Sequence, residues 1–156
     1  MSRSVFLRRA APADVEALMA LERDASLHPW NQAQLVAEIS RVAPDAVLVL
    51  EGRAGVSAWC AYRLAVGELA ILNLAVHPRE RRRGLGRFLL EAGLRRGAAA
   101  GASRALLEVR ASNDAARALY SNFGFVRLGV RKDYYVEPRE DALVLARPLV
   151  DGGDPP

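Results

Sequence analysis

Apolar positions change their period along this chain, and each change marks an element. Residues 5–9 (VFLRR) read as a short strand, and Pro12 to Asp14 opens a segment in which Val15, Leu18, Met19 and Glu22 recur at helical spacing. After His28-Pro29-Trp30, Asn31 stands as an N-cap with Gln34 at the third helical position. That capping-box variant predicts a second helix through about Ser40. VLVLE (47–51) and VSAWCAYRLA (56–65), separated by Gly52 and Gly55, predict a hairpin, and ELAILNLAV (68–76) a further strand.

The second half repeats the alternation. A helix is expected over about 85–100, carrying Leu89, Leu90 and Leu94 on one side despite glycines at 93 and 97, followed by the strand ALLEV (105–109). Asn113 can cap a helix in which Ala115, Leu119 and Phe123 share a stripe, and Gly124 supplies a left-handed stop. FVRLGVR and DALVLARPL complete the set as strands. The order βααβββαβαββ, with a strand-loop-helix-strand unit at its centre, predicts an α/β (α+β) sheet covered by helices. A single domain over 1–150 is expected, with DGGDPP (151–156) as a disordered tail.

Composition narrows the classes. The chain has 156 residues, 51% of them hydrophobic and 26% charged, which is ordinary globular usage. No run approaches the roughly 18 apolar residues of a membrane span, and MSRSVFLRRAAPAD lacks the apolar stretch of a signal peptide, so a cytoplasmic protein is expected. Cys60 is the one cysteine, within a hydrophobic strand and read as buried filler; with only His28 and His77 beside it, no metal site is expected. The net charge is +4 and the pI about 9.8, which would permit a polyanionic partner. However, every basic residue except Lys132 is arginine, a bias spread over the whole chain that lowers the weight of any one arginine cluster.

The densest such cluster, HPRERRRGLGRFLLEAG (77–93), lies between the 68–76 strand and the next helix. It could be a hook for nucleic acid, a phosphate cradle, or a solvated face. A glycine turn feeding a helix presents several unpaired N–H groups in one direction. Gly84 and Gly86 let an oxygen approach the main chain, while the helix dipole and Arg82, Arg83 and Arg87 favour negative charge, so an anion site is predicted. A Walker loop would need Gly-Lys-Ser/Thr, a dinucleotide fingerprint a third glycine and a later acidic residue, and a nucleic-acid module interleaved aromatics; none of these is present.

Arg81-x-x-Gly84-x-Gly86 resembles the signature with which GNAT acetyltransferases hold the pyrophosphate of acetyl-CoA. LNLAVHP, RRGLGR, LEVRASN, ALYSNFGF, RKDYY and REDAL follow in the order and spacing of the RimI subfamily, which acetylates protein N-terminal amines; HPWN fits more loosely. The likeness covers about residues 5–149 and implies the GNAT fold, a mixed sheet of about seven strands flanked by about four helices. It further implies that Arg81, Arg82, Arg83, Gly84, Leu85, Gly86 and Arg87 cradle the phosphates. Leu74, Ala75 and Val76 would pair their main chain with the pantetheine arm, and Asn113 would contact the cofactor. On the residues alone, Leu74 to Val76 read as core strand and Asn113 as a helix cap.

Acyl transfer from a thioester to an amine needs a neutral amine, a polarised carbonyl and a proton for the departing thiolate. Glu108 lies near the C-terminal end of the 105–109 strand, where such sheets place ligands. By pattern it reads as solvent-facing, whereas partial burial would raise its pKa and make it a usable base. The resemblance implies that Glu108 is the base and Tyr120 the acid that protonates the CoA sulfur; by itself Tyr120 could be an amphipathic core tyrosine. With no Cys-His or Ser-His pair evident, direct attack in a ternary complex is expected. Trp30, Tyr134 and Tyr135 could wall the acceptor pocket, as the matching segments do in relatives, or pack under a loop. Glu68, Asp133, Glu137, Glu140 and Asp141 could supply negative charge to a cationic peptide end.

The resemblance implies as acceptor the N-terminal alanine of the eighteenth small-subunit ribosomal protein, with neither nucleic acid nor membrane as a partner. A same-fold enzyme for lysine or a small-molecule amine, and a non-catalytic basic RNA-binding module, are the competing readings.

Overall fold

The computed structural model describes residues 4–26 and 28–149; the expected tail at 151–156 lies outside them. Four α-helices accompany a seven-stranded mixed sheet of order β1-β2-β3-β4-β5-β7-β6. The elements in chain order are β1 (Phe6–Arg9), α1 (Val15–Ala25), α2 (Gln32–Ile39), β2 (Ala46–Gly52), β3 (Gly55–Ala65), β4 (Glu68–Val76), α3 (Leu85–Ala99), β5 (Arg104–Arg110), α4 (Asp114–Asn122), β6 (Val126–Val136) and β7 (Arg139–Pro148). The alternation of predicted elements is reproduced in full. The chain forms two compact units, one taking the chain up to Arg63 together with Asn73–Gly93, the other Leu64–Leu72 and the chain from Leu94 onward.

In the first unit, β1, β2 and β3 pair antiparallel in succession. Of the expected helical positions, Val15, Leu18 and Glu22 are buried along α1 and Met19 is half-buried, while Leu21 is buried beside them. Leu18, Leu21 and Leu35 pack with Val47, Val49, Trp59 and Ala61 in one apolar cluster, which Trp30 and Ala75 partly cover. Asn31 closes the predicted capping box: its side chain accepts from the Gln34 N–H at 2.9 Å, and Gln34 Oε1 accepts from the Asn31 N–H at 2.9 Å. Arg8 joins β1 to the turn before α1 through a two-point pair with Asp14, both bonds 2.8 Å, and to β2 through Glu51 at 2.9 Å.

In the second unit, the start of β4 runs parallel to β5, β5 antiparallel to β7, and β7 antiparallel to β6. Gly97 explains one of the glycines in α3: a Cβ there would lie 2.7 Å from the Leu69 side chain, so glycine lets the helix close on β4. Gly124, at φ +81°, ends α4, and the Phe125 N–H returns to the Tyr120 carbonyl at 3.0 Å.

Two local expectations change. The inward face of α4 is formed by Ala116, Tyr120 and Phe123, while Ala115 is exposed and Leu119 only half-buried. The stripe is rotated because the ring of Tyr120, rather than the Leu119 side chain, packs edge-on against Phe125, with centroids 5.7 Å apart. Strand β6 also runs on to Val136, past a register shift between Arg131 and Tyr135, so Tyr134 and Tyr135 belong to a strand and not to a loop.

Candidate active site

The first unit carries the glycine loop. His77 begins it, its side chain accepting from the Arg79 N–H at 3.2 Å, and Glu80 pairs with Arg83 at 2.8 Å. Arg82 and Gly84 both adopt left-handed backbone, φ +62° and +77°. For Gly84 this conformation is natural, and a Cβ there would meet nothing within 4 Å; for arginine it is strained. Helix α3 then starts, its first ladder bond running from the Phe88 N–H to the Gly84 carbonyl at 3.0 Å. The N–H groups of Leu85 and Gly86 therefore precede the ladder and are open to an acceptor. Arg81, Arg82, Arg83 and Arg87 are all exposed around this end. Backbone donors, a positive helix end and cationic side chains form a site fitted to a polyanionic phosphate.

Leu74, Ala75 and Val76 are half-buried at the end of β4. The β4–β5 ladder runs from Glu68↔Arg104 to Ile71↔Leu107, so these three residues lie beyond its last pair. That edge of β4 there carries main-chain groups outside the ladder, available to an amide-bearing chain. Trp30 is half-buried, edge-on to Trp59 with centroids 5.4 Å apart.

Behind these groups is a polar network that sequence reasoning missed. Glu22 is 1% exposed. Its Oε2 accepts from the Trp30 main-chain N–H at 3.1 Å, and its Oε1 from Trp59 Nε1 at 3.2 Å and Asn73 Nδ2 at 3.1 Å. Burial pushes its carboxyl above the ordinary value, against the lowering effect of the three donors. The signal was available, since an ionisable residue stood on the apolar stripe of α1.

The second unit holds both residues expected to move protons. Glu108 lies on the open side of β5, its side chain keeping 31% of its surface. It pairs with Arg131 at 2.8 Å and accepts a hydrogen bond from Tyr134. That bond is the largest cause holding the Tyr134 phenol above its usual value, so it stays a protonated donor. Tyr134 and Tyr135 meet edge to face with centroids 5.1 Å apart. Burial raises Tyr135 as well, and the Arg110 guanidinium stacks 3.8 Å from its ring centroid. Arg110 also bonds Glu140 at 3.3 Å, while its Nη2 is buried without a hydrogen-bond partner among the described residues. No sequence rule singled out Arg110, because its stacking partner is far along the chain.

Tyr120 is buried to 7% exposure on α4. Asn113 caps that helix, accepting from the Ala116 N–H at 3.2 Å. Three carboxylates here face cations: Glu108 faces Arg131, Glu140 faces Arg110, and Asp141 faces Lys132 at 3.5 Å and accepts from the Asp133 N–H. Glu68 is not part of this cluster. It opens β4 and is bound by Arg104 at 2.7 Å, at the opposite end of β5 from Glu108. Among the described residues there is no group of His, Cys, Asp or Glu able to hold a metal, and no helix is long and apolar enough to cross a membrane.

Comparison with known proteins aligns residues 15–125 with the model of the acetyltransferase (GNAT) family. The [Ribosomal protein bS18]-alanine N-acetyltransferase of Escherichia coli K12 is 33% identical over 138 residues, covering 87% of this chain and 92% of the relative. The N-alpha-acetyltransferase RimI of Mycobacterium tuberculosis is 41% identical over 90 residues, covering 56% of this chain and 52% of that protein. Among solved structures, the ribosomal-protein-S18-alanine N-acetyltransferase from Escherichia coli superposes with a TM-score of 0.86 at 30% identity, over 97% of both chains. Ard1 from Thermoplasma volcanium superposes at 0.87 and 26% identity, over 94% of this chain and 98% of its own.

Proposed function

Because the chain belongs to the GNAT acetyltransferase family, we propose that it acetylates the N-terminal α-amine of a protein, using acetyl-CoA, and that its acceptor is the N-terminal alanine of ribosomal protein bS18. The fold and the phosphate-fitted loop support the cofactor. The acceptor rests on relatives named for bS18-alanine acetylation that match most of their own length. A ribosomal-protein acceptor implies a cytoplasmic reaction.

Arg81, Arg82, Arg83 and Arg87, with Gly84 and the N–H groups of Leu85 and Gly86, hold the pyrophosphate. The main chain of Leu74, Ala75 and Val76 pairs with the pantetheine amides, and Asn113 adds a polar contact while capping α4. Acetyl-CoA supplies an activated acyl group as a thioester. Glu108 takes the proton that the amine loses as its nitrogen bonds to the acetyl carbon. Tyr120 gives its hydroxyl proton to the sulfur as the C–S bond breaks. An α-amine of pKa about 7.8 is already about one-third neutral at pH 7.5, so a carboxylate as exposed as Glu108 has little to do; lysine, near 10.4, would ask far more of it. Trp30 on the first unit, and Tyr134 and Tyr135 on the second, each contribute a ring to acceptor binding.

The single observation that carries the reading is the loop itself: left-handed Arg82 and Gly84 leading into the open N–H groups of α3, amid four exposed arginines. Release of CoA thiol on mixing the protein, acetyl-CoA and a peptide beginning Ala-Arg tests it. Release that depends on the peptide supports the reading; its absence overturns it.

A further inference from the structure

Glu22 gathers donors from three elements of the first unit, and none of them is a cation. One is the main-chain N–H of Trp30, in the segment 28–31 that leads into α2; one is the indole of Trp59 in β3; one is the amide of Asn73 in β4, immediately before Leu74. A carboxylate 1% exposed is costly to bury, and a methionine or leucine would fill the same space on the α1 stripe at lower cost. What the carboxylate supplies, and an apolar side chain cannot, is two acceptor oxygens at a set place. Asn73 and Trp59 sit in strands, whose ladders hold them whatever Glu22 does. The segment 28–31 belongs to neither helix nor strand; besides the His28 N–H bond to Ser26 Oγ and the edge-on contact of Trp30 with Trp59, its main chain is held by the Glu22 bond at Trp30 and the capping box at Asn31.

We infer that Glu22 is a positioning residue for the acceptor: Asn73 and Trp59 orient its carboxylate, and the carboxylate in turn fixes Trp30 against the incoming peptide. The inference rests on the proposed reading of Trp30 as contributing a ring to acceptor binding. It assigns Glu22 no contact with substrate. The Leu74–Val76 main chain and the phosphate loop do not depend on it, so its loss separates acceptor binding from cofactor binding.

The chain's two tryptophans are the two that Glu22 holds, which makes intrinsic fluorescence a direct reporter. Parent and Glu22→Gln are compared with an Ala-Arg peptide and acetyl-CoA, and by tryptophan emission during peptide titration in the presence of CoA. Glutamine keeps one acceptor oxygen and leaves at least one of the three donors unmatched. The acceptor KM is expected to rise roughly tenfold, with kcat within about twofold of parental. The acetyl-CoA KM and the thermal shift caused by acetyl-CoA stay parental, and the emission change on peptide addition moves to correspondingly higher concentration.

An unchanged acceptor KM in an active parent background overturns the positioning role alone, as does an equal rise in both KM values, which would mark a general loosening. A parent that acetylates no α-amine peptide overturns the proposed function and this role with it. Should Glu22→Gln not fold, Asn73→Ser, which removes one donor from Oε1, carries the test. A roughly threefold rise in acceptor KM alone supports the inference, and a parental value overturns it.

Discussion

The Arg131 guanidinium lies 2.8 Å from the Glu108 carboxylate, on the strand next but one in the sheet, and the Tyr134 hydroxyl donates to that same carboxylate. Two donors from β6, three positions apart, fix where the proposed base points. The Arg131 side chain is 58% exposed, so solvent screens the pair and its value lies in orientation rather than in fold stability. Glu108→Gln is therefore expected to lower kcat/KM by roughly 100-fold or more while leaving acetyl-CoA affinity intact, and Tyr134→Phe to cost less. Steady-state kinetics with both variants check this; parental turnover by Glu108→Gln would remove Glu108 from the mechanism.

Tyr120→Phe keeps the ring that packs on Phe125 and removes only the hydroxyl. Its melting temperature should stay near parental, with kcat down roughly 100-fold and acetyl-CoA affinity little changed, because the proton is needed only as the thiolate leaves. A parental kcat would return Tyr120 to a purely packing role.

The phosphate loop predicts a ligand-induced stabilisation. At about 100 times its dissociation constant, acetyl-CoA should stabilise the protein by roughly 2.7 kcal/mol, read as a shift in melting temperature. Gly86→Val sets a branched side chain among the open N–H groups of α3 and should abolish the shift. Its persistence would place the phosphates elsewhere.

Most of the fold was legible because it is written in local chemistry. The Asn31–Gln34 box and the Gly124 stop are short-range devices, and both form as read. The rotated face of α4 was not legible, since the apolar body of Tyr120 competes with Leu119 for the interior and period alone does not rank them. The reach of β6 through Tyr134 and Tyr135 depends on pairing with β7, as in Tyr135↔Glu140, which no local pattern contains. Among the site residues, the loop arginines and Glu108 stood out by motif. Glu68 was misjudged because its partner Arg104 is brought beside it only by parallel pairing. Asn73, Arg110 and Arg131 were invisible for the same reason, their partners lying 51, 25 and 23 positions away (Glu22, Tyr135, Glu108).

Two buried carboxylates of the first unit predict opposite responses to pH. The Arg8 pair holds Asp14 below its ordinary value, so its contribution to stability is full above the unfolded carboxylate value and is lost as pH falls through the depressed folded one. Glu22 is raised by burial, so its folded form binds the proton more tightly than the unfolded chain does. Its contribution is greatest below the unfolded value and declines as pH rises towards the raised folded one. Urea midpoints measured across this range should show Asp14→Asn losing stability mainly at neutral pH. Glu22→Gln should lack the decline seen in the parent.

The central claim, that the acceptor is a protein α-amine, is tested most directly by competition. Peptides beginning Ala-Arg and copies blocked at the N-terminus but carrying an internal lysine are mixed with the protein and acetyl-CoA, and the site of acetylation is read by mass spectrometry. The account predicts acetyl on the N-terminal alanine, formed well before any lysine product; faster acetylation of the blocked lysine peptides would contradict it.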